Sequence, residues 1–311
     1  MRSGHLVLAT LVAAVYAACF VLIKLGLADA TPLRFAGWRA FLAGGTLLVV
    51  LAVSGRPILP PRRLRPWVLV LGAVLTLQYA AMFLSPGRAG AGLSSVLANT
   101  GPILLVLLAP LLLRERITRV TAAAVLLGSA GVVLIAWPRS AAGTAIGIIG
   151  IMIPLASALS SATATALFKR LDAGDALLSI AAWQLTLGAL PLLTAARWLE
   201  PDRGLSWTPA FTAALAFLAV PGTAFALVLW YWLVQREPVQ RLAGFMFLVP
   251  MAGLALAWVF FGESVSGLQA AGVALTMLGI MLALGIRPVP RTAASLTVPA
   301  SKAPENASHE V

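Results

Sequence analysis

Acidic residues are scarce. The chain has 22 lysines and arginines but only 10 aspartates and glutamates, and charged residues fill 10% of its 311 positions. Soluble domains carry roughly 25% charge, so a water-soluble fold is excluded. There is one cysteine, Cys19, which excludes an intrachain disulfide and a thiolate metal site. The two histidines, His5 and His309, sit near the two termini and do not make a paired-histidine metal site. No nucleophile triad, phosphate loop or metal cluster is present, and no cofactor is expected. An intramembrane enzyme acting on lipid would need paired acids or histidines in its apolar runs. Their absence argues against that class.

Apolar sequence fills the rest. Hydrophobic residues make up 60% of the chain and the mean hydropathy is +0.97. A soluble fold has no interior large enough to hide that much apolar surface, so the solvent must be lipid. The net charge of +12 would suit nucleic acid, but the basic residues fall between apolar runs, as they do in membrane proteins. The expected partners are the lipid bilayer and a small-molecule substrate, not nucleic acid, and the chain is expected to be a monomer or homodimer.

Ten runs are long enough to cross a bilayer core, which takes about 20 residues each. They lie near 5–23, 33–53, 67–85, 90–113, 120–137, 143–168, 176–196, 210–234, 239–261 and 267–286. Backbone polar groups in hydrocarbon must be satisfied within the segment, so each run is a helix. Arg2 followed by Ala17-Ala18-Cys19 resembles a lipoprotein signal. The first run is nevertheless read as a retained span, because it is the repeat partner of the sixth. The segment 287–311 is polar and reads as a disordered cytoplasmic tail.

The chain repeats itself. Residues 102–134 overlay 250–282 without a gap at an offset of 148: Pro102 meets Pro250, Glu115 meets Glu263, and Gly131 meets Gly279. Upstream the offset is 145, where Lys24 meets Lys169 and Trp38 meets Trp183. About three extra residues in the second half separate the two registers. The expected organisation is therefore 1–137 and 143–286, five helices each. Five is odd, so the halves have opposite orientation. Inverted repeats of this kind mark secondary transporters, with substrate held near the midplane between the halves. The expected fold class is an all-α integral membrane protein of ten helices in two inverted five-helix repeats.

Lysine and arginine positions set the direction. With the N-terminus inside, fifteen basic residues fall in cytoplasmic segments and six outside: Lys24, Arg34, Arg88, Arg139, Arg197 and Arg203. Arg39 lies within the second run. Both termini are expected in the cytoplasm, in the plasma membrane.

The order of these motifs resembles the EamA branch of the drug/metabolite transporter superfamily. Pro102, Arg114-Glu115-Arg116 and Gly131 carry the resemblance in the first half. Pro250, Gly262-Glu263-Ser264 and Gly279 carry it in the second, and Lys24 and Arg39 fit the first two spans. The likeness covers about residues 5 to 286. The chain departs from the family pattern at Tyr16 to Phe20, where a Trp-Gly-Ser-like motif is common, and at Arg114, which replaces a glycine. The resemblance implies a gradient-driven carrier, often an exporter of amino acids or related amphipathic compounds. It also implies that spans 1–4 and 6–9 line the cavity while 5 and 10 pack outside it. The alternative within transporters is a multidrug or lipophilic-cation exporter.

Candidate substrate-binding residues are the polar and aromatic groups at mid-span: Tyr16, Arg39, Gln78, Tyr79, Asn99, Ser160, Trp183, Gln184, Trp230 and Tyr231. Ser157 and Ser161 belong to the same set, with close helix packing as their plainer role. An intramembrane cation is costly, so Arg39 either holds an anionic group or snorkels to the headgroups. Glu115 and Glu263, with Pro102 and Pro250, are read as hairpin-closing elements near the interface. No acidic residue lies deep in any span, which disfavours proton coupling through a buried carboxylate.

Overall fold

The computed structural model describes residues 3–85, 97–98, 100–114, 117–136, 148–200, 205–249, 252, 255 and 267–285. Every regular element among them is helical. The helices are α1 (Ser3–Gly26), α2 (Pro32–Val53), α3 (Arg65–Leu84), α4 (Gly101–Leu113), α5 (Arg119–Ala136), α6 (Ile148–Arg170), α7 (Leu177–Leu199), α8 (Pro209–Arg236), α9 (Val239–Met246) and α10 (Gly267–Gly285). The chain is a multi-pass membrane protein. Six of these helices are long and apolar enough to cross a membrane, and the stretches Gly101–Leu113, Arg119–Leu134 and Ala270–Gly279 are shorter apolar helices.

Local sequence explains where the helices start. Pro32, Pro66, Pro102 and Pro209 stand in the first turn of α2, α3, α4 and α8, where a missing N–H costs nothing. Thr208 caps α8 by accepting the Phe211 N–H at 3.1 Å. The helix α8 is not uniform. Between Val220 and Phe225 it widens into a π-turn containing Pro221 and Gly222. A proline inside a helix cannot donate its hydrogen bond, and the wider turn accommodates it.

Packing follows the repeat. Three helices lie against their own counterparts: α2 on α7, α4 on α9, and α5 on α10. Other contacts between the halves come in exchanged pairs: α3 on α6 and α7 answers α8 on α1 and α2, and α4 on α6 answers α9 on α1. Repeat-related halves make contacts of this kind. The α5–α10 seam depends on the matched glycines. A Cβ at Gly131 would lie 2.7 Å from the Thr276 N, and one at Gly279 would lie 2.7 Å from both Ala124 O and Gly128 N. Only hydrogen at these positions allows the backbones to approach so closely.

Candidate functional site

The two halves enclose a cavity of about 220 Å³. Its walls come from α1, α2, α3, α4, α6, α7 and α8, with Ala243, Met246 and Val249 from the start of the ninth span. The repeat is visible in the lining. At the offset of 145 Tyr16 pairs with Ser161, Cys19 with Ala164, and Arg39 with Gln184; all six line the cavity. At 148 the pairs are Leu75 with Thr223, Tyr79 with Leu227, Met82 with Trp230, Ala98 with Met246, and Gly101 with Val249, again all lining.

Seven of the ten sequence-derived binding candidates lie on this wall: Tyr16, Arg39, Gln78, Tyr79, Gln184, Trp230 and Tyr231. Ser160 and Trp183 do not. On α6 the lining positions are Ser157, Ser161, Ala162, Ala164 and Thr165, an arc that at about 100° per residue runs from about 20° behind Ser157 to about 140° ahead of it. Ser160 points about 60° behind Ser157, past the edge of that arc, and is buried. Trp183 is turned about 100° from Gln184, at 3.6 residues per turn, and its indole N–H donates to the Ile58 carbonyl at 2.9 Å. Pro102, read from the sequence as a hairpin-closing element, stands in the first turn of α4 and lines the cavity. Asn99, Glu115, Pro250, Glu263 and the tail 287–311 lie outside the described residues.

Among the described residues, Arg39 is the only charged side chain on the wall. It is 4% exposed. Its Nε donates to Thr223 Oγ1 at 2.7 Å and its Nη2 to the Gly222 carbonyl at 3.4 Å. The guanidinium lies 5.4 Å from the Tyr79 ring centroid, close enough for a cation–π attraction. Among the described residues Nη1 has no hydrogen-bond partner. The π-turn explains the location. It holds Gly222 and Thr223 at the point where Arg39 meets α8, and Thr223 in turn donates to the Leu218 carbonyl at 2.7 Å. Cys19 Sγ shares the Gly222 carbonyl at 3.7 Å.

Gln184, the repeat counterpart, meets α8 elsewhere. Its Oε1 accepts from Tyr231 Oη at 3.0 Å, and Tyr231 stacks on Phe168 at 3.6 Å between centroids. Thr223 and Tyr231 are eight residues apart on α8, about 12 Å at 1.5 Å per residue. Arg39 and Gln184 therefore mark two opposite poles of one cavity. Two further contacts hold the wall: Ser157 Oγ donates to the Gln78 carbonyl at 3.1 Å, and Trp230 Nε1 to Thr165 Oγ1 at 3.3 Å.

Beyond the cavity the halves are tied at both ends. At one, His5 Nδ1 of the first half lies 2.6 Å from Glu237 Oε1 of the second, and Lys169, also of the second half, donates from Nζ to the Glu237 carbonyl at 2.6 Å. At the other, the Glu200 carboxylate accepts the Leu33 N–H at 3.0 Å and the Arg34 N–H at 3.2 Å, satisfying free donors at the start of α2. The Asp29 carbonyl accepts the Ser206 N–H at 3.0 Å.

The sequence profile of the EamA-like transporter family matches residues 4–137 and 147–285. The "Uncharacterized transporter YvbV" of Bacillus subtilis is 32% identical over 267 residues, covering 84% of this chain and 85% of that protein. The "Probable amino-acid metabolite efflux pump" of Salmonella typhimurium is 31% identical over 287 residues, covering 88% and 93%. A solved crystal structure aligns with a TM-score of 0.79 over 91% of this chain and 97% of its own, at 20% identity, a likeness of fold.

Proposed function

The chain belongs to the EamA-like transporter family, and we propose that it is a secondary transporter that exports a small amphipathic metabolite, such as an amino acid, by alternating access. One observation carries this reading: a cavity whose wall is built largely from repeat-equivalent positions of both halves. Related halves can exchange roles, so that the site faces first one side and then the other. The ties at the two ends are then the contacts that open in turn. His5–Glu237 closes one side, and Glu200 with Leu33 and Arg34 closes the other. Export of an amino-acid metabolite is supported by the name of the Salmonella relative.

The size of the cavity favours a metabolite over a drug. Pockets for drug-sized ligands hold about 300–1,000 Å³, and this one holds about 220 Å³. A lipophilic cation would want a carboxylate on the wall, and none of the described lining residues is acidic. The fifteen-to-six distribution of basic residues supports an orientation with both termini in the cytoplasm, and under this reading the membrane is the plasma membrane.

The test is flux. Proteoliposomes holding the full chain are loaded with a panel of labelled amino acids, organic acids and hydrophobic cations. Release of a small amphipathic compound above the rate of empty liposomes is expected. Release of hydrophobic cations alone would overturn the substrate reading, and release of nothing would overturn transport.

A further inference from the structure

Within the transport reading, we infer that the cavity takes an organic monocarboxylate, its carboxylate at the Arg39 pole and its apolar body extending toward Gln184 and Tyr231. Four observations point there. Arg39 is the sole charge on the described wall, and it is almost fully buried. Its two made hydrogen bonds go to a neutral hydroxyl and a neutral carbonyl, so neither cancels its charge. Among the described residues Nη1 has no acceptor. Charges inside a membrane protein pair with an opposite charge or mark a substrate path, and an uncompensated buried guanidinium is costly. A ligand carboxylate supplies both the missing charge and the missing acceptor.

The opposite pole fixes the rest of the ligand. The repeat would have given two equal ends, but it places glutamine where the other half has arginine. The Gln184 carbonyl is occupied by Tyr231. That end is polar but neutral, so it offers hydrogen bonds to a neutral group and no counter-charge for an ammonium. Leu75, Met82, Leu105 and Leu227 stand among the lining residues and suit a hydrocarbon or aromatic body. The net preference is for an anion over a zwitterion, and for either over a cation. A phosphate dianion would need more than one positive group, and the described wall has one.

Three probes share one apolar body and differ in charge: phenylacetate, neutral phenylacetamide and cationic 2-phenylethylammonium. Binding of each to the full chain in lipid nanodiscs is measured by titration calorimetry. Phenylacetate should bind at least about tenfold more tightly than the other two, the scale of a charge-assisted hydrogen bond. Arg39→Gln should bring the three to near parity, and Arg39→Lys should keep part of the preference. The lysine variant also guards against misfolding of the glutamine one. Tighter binding of the cation, an unchanged ratio in Arg39→Gln, or no binding of any probe to cooperatively melting wild-type protein would overturn the inference. Flux of the same probes separates the two readings. Phenylacetate that binds but never crosses would sink transport and leave the carboxylate site standing. A cation that crosses while phenylacetate does not bind would do the reverse.

Discussion

Trp183 donates its indole N–H to the Ile58 carbonyl at 2.9 Å, which ties α7 of the second half to the α2–α3 connector of the first. Its repeat partner Trp38 does the converse. It packs edge-on against Trp207, at 6.0 Å between centroids, in the connector before α8. The matched tryptophans thus hold each half to a connector of the other. Trp183→Phe removes the N–H and keeps most of the ring. Stability should fall by about 0.5–1 kcal/mol, the low end for a hydrogen bond that water can replace. Ligand affinity should stay as in wild type, because the cavity is untouched. Thermal melts and ligand titrations on the same samples check both. A large loss of affinity with normal stability would return Trp183 to the binding wall.

The α5–α10 seam should be intolerant of side chains. Gly131→Leu or Gly279→Leu must push apart backbones that a Cβ alone would contact at 2.7 Å. The expected cost is about 1–3 kcal/mol or more, the range for overpacking, read as reduced yield of folded protein and a lower melting temperature. Protein that does fold should bind ligand normally, since neither glycine lines the cavity. Wild-type stability in both variants would contradict the close approach.

Arg114 carries a strain that glycine would relieve. It ends α4 in the left-handed region, with φ 58°, and its N–H donates to the Ala109 carbonyl. A side chain there costs about 1–2 kcal/mol, and glycine gives back part of that in unfolded-state entropy. Arg114→Gly should stabilise by about 0.5–1 kcal/mol in a denaturation series. Destabilisation would mean that the arginine side chain makes a compensating contact.

The repeat, the ten-helix class and the family could all be read from the sequence because prolines, glycines and tryptophans recur at fixed offsets. The cavity was legible in outline: Tyr16, Arg39, Gln78, Tyr79, Gln184, Trp230 and Tyr231 are polar or aromatic at mid-span, where such groups are expensive without a purpose. Rotation within a helix was harder to read. In an Ala/Ser-rich run such as α6 no apolar stripe distinguishes Ser160 from Ser157 and Ser161. Cys19, Gly222 and Thr223 were missed. Pro221-Gly222 in the middle of an apolar run was the available signal, since such a pair breaks regular helix and frees backbone carbonyls. The His5–Glu237 tie had no signal, because it joins residues 232 positions apart at the ends of different spans.

The central claim is that substrate crosses through this one cavity. Counterflow through proteoliposomes tests it most directly, using whichever compound the flux panel identifies. Ser161→Trp places a large ring on the wall of a cavity of about 220 Å³. Leu159→Trp, on an exposed face of the same helix, is the control. Counterflow should vanish in Ser161→Trp and persist in Leu159→Trp, with both proteins melting cooperatively. Counterflow at the wild-type rate in folded Ser161→Trp would contradict the account.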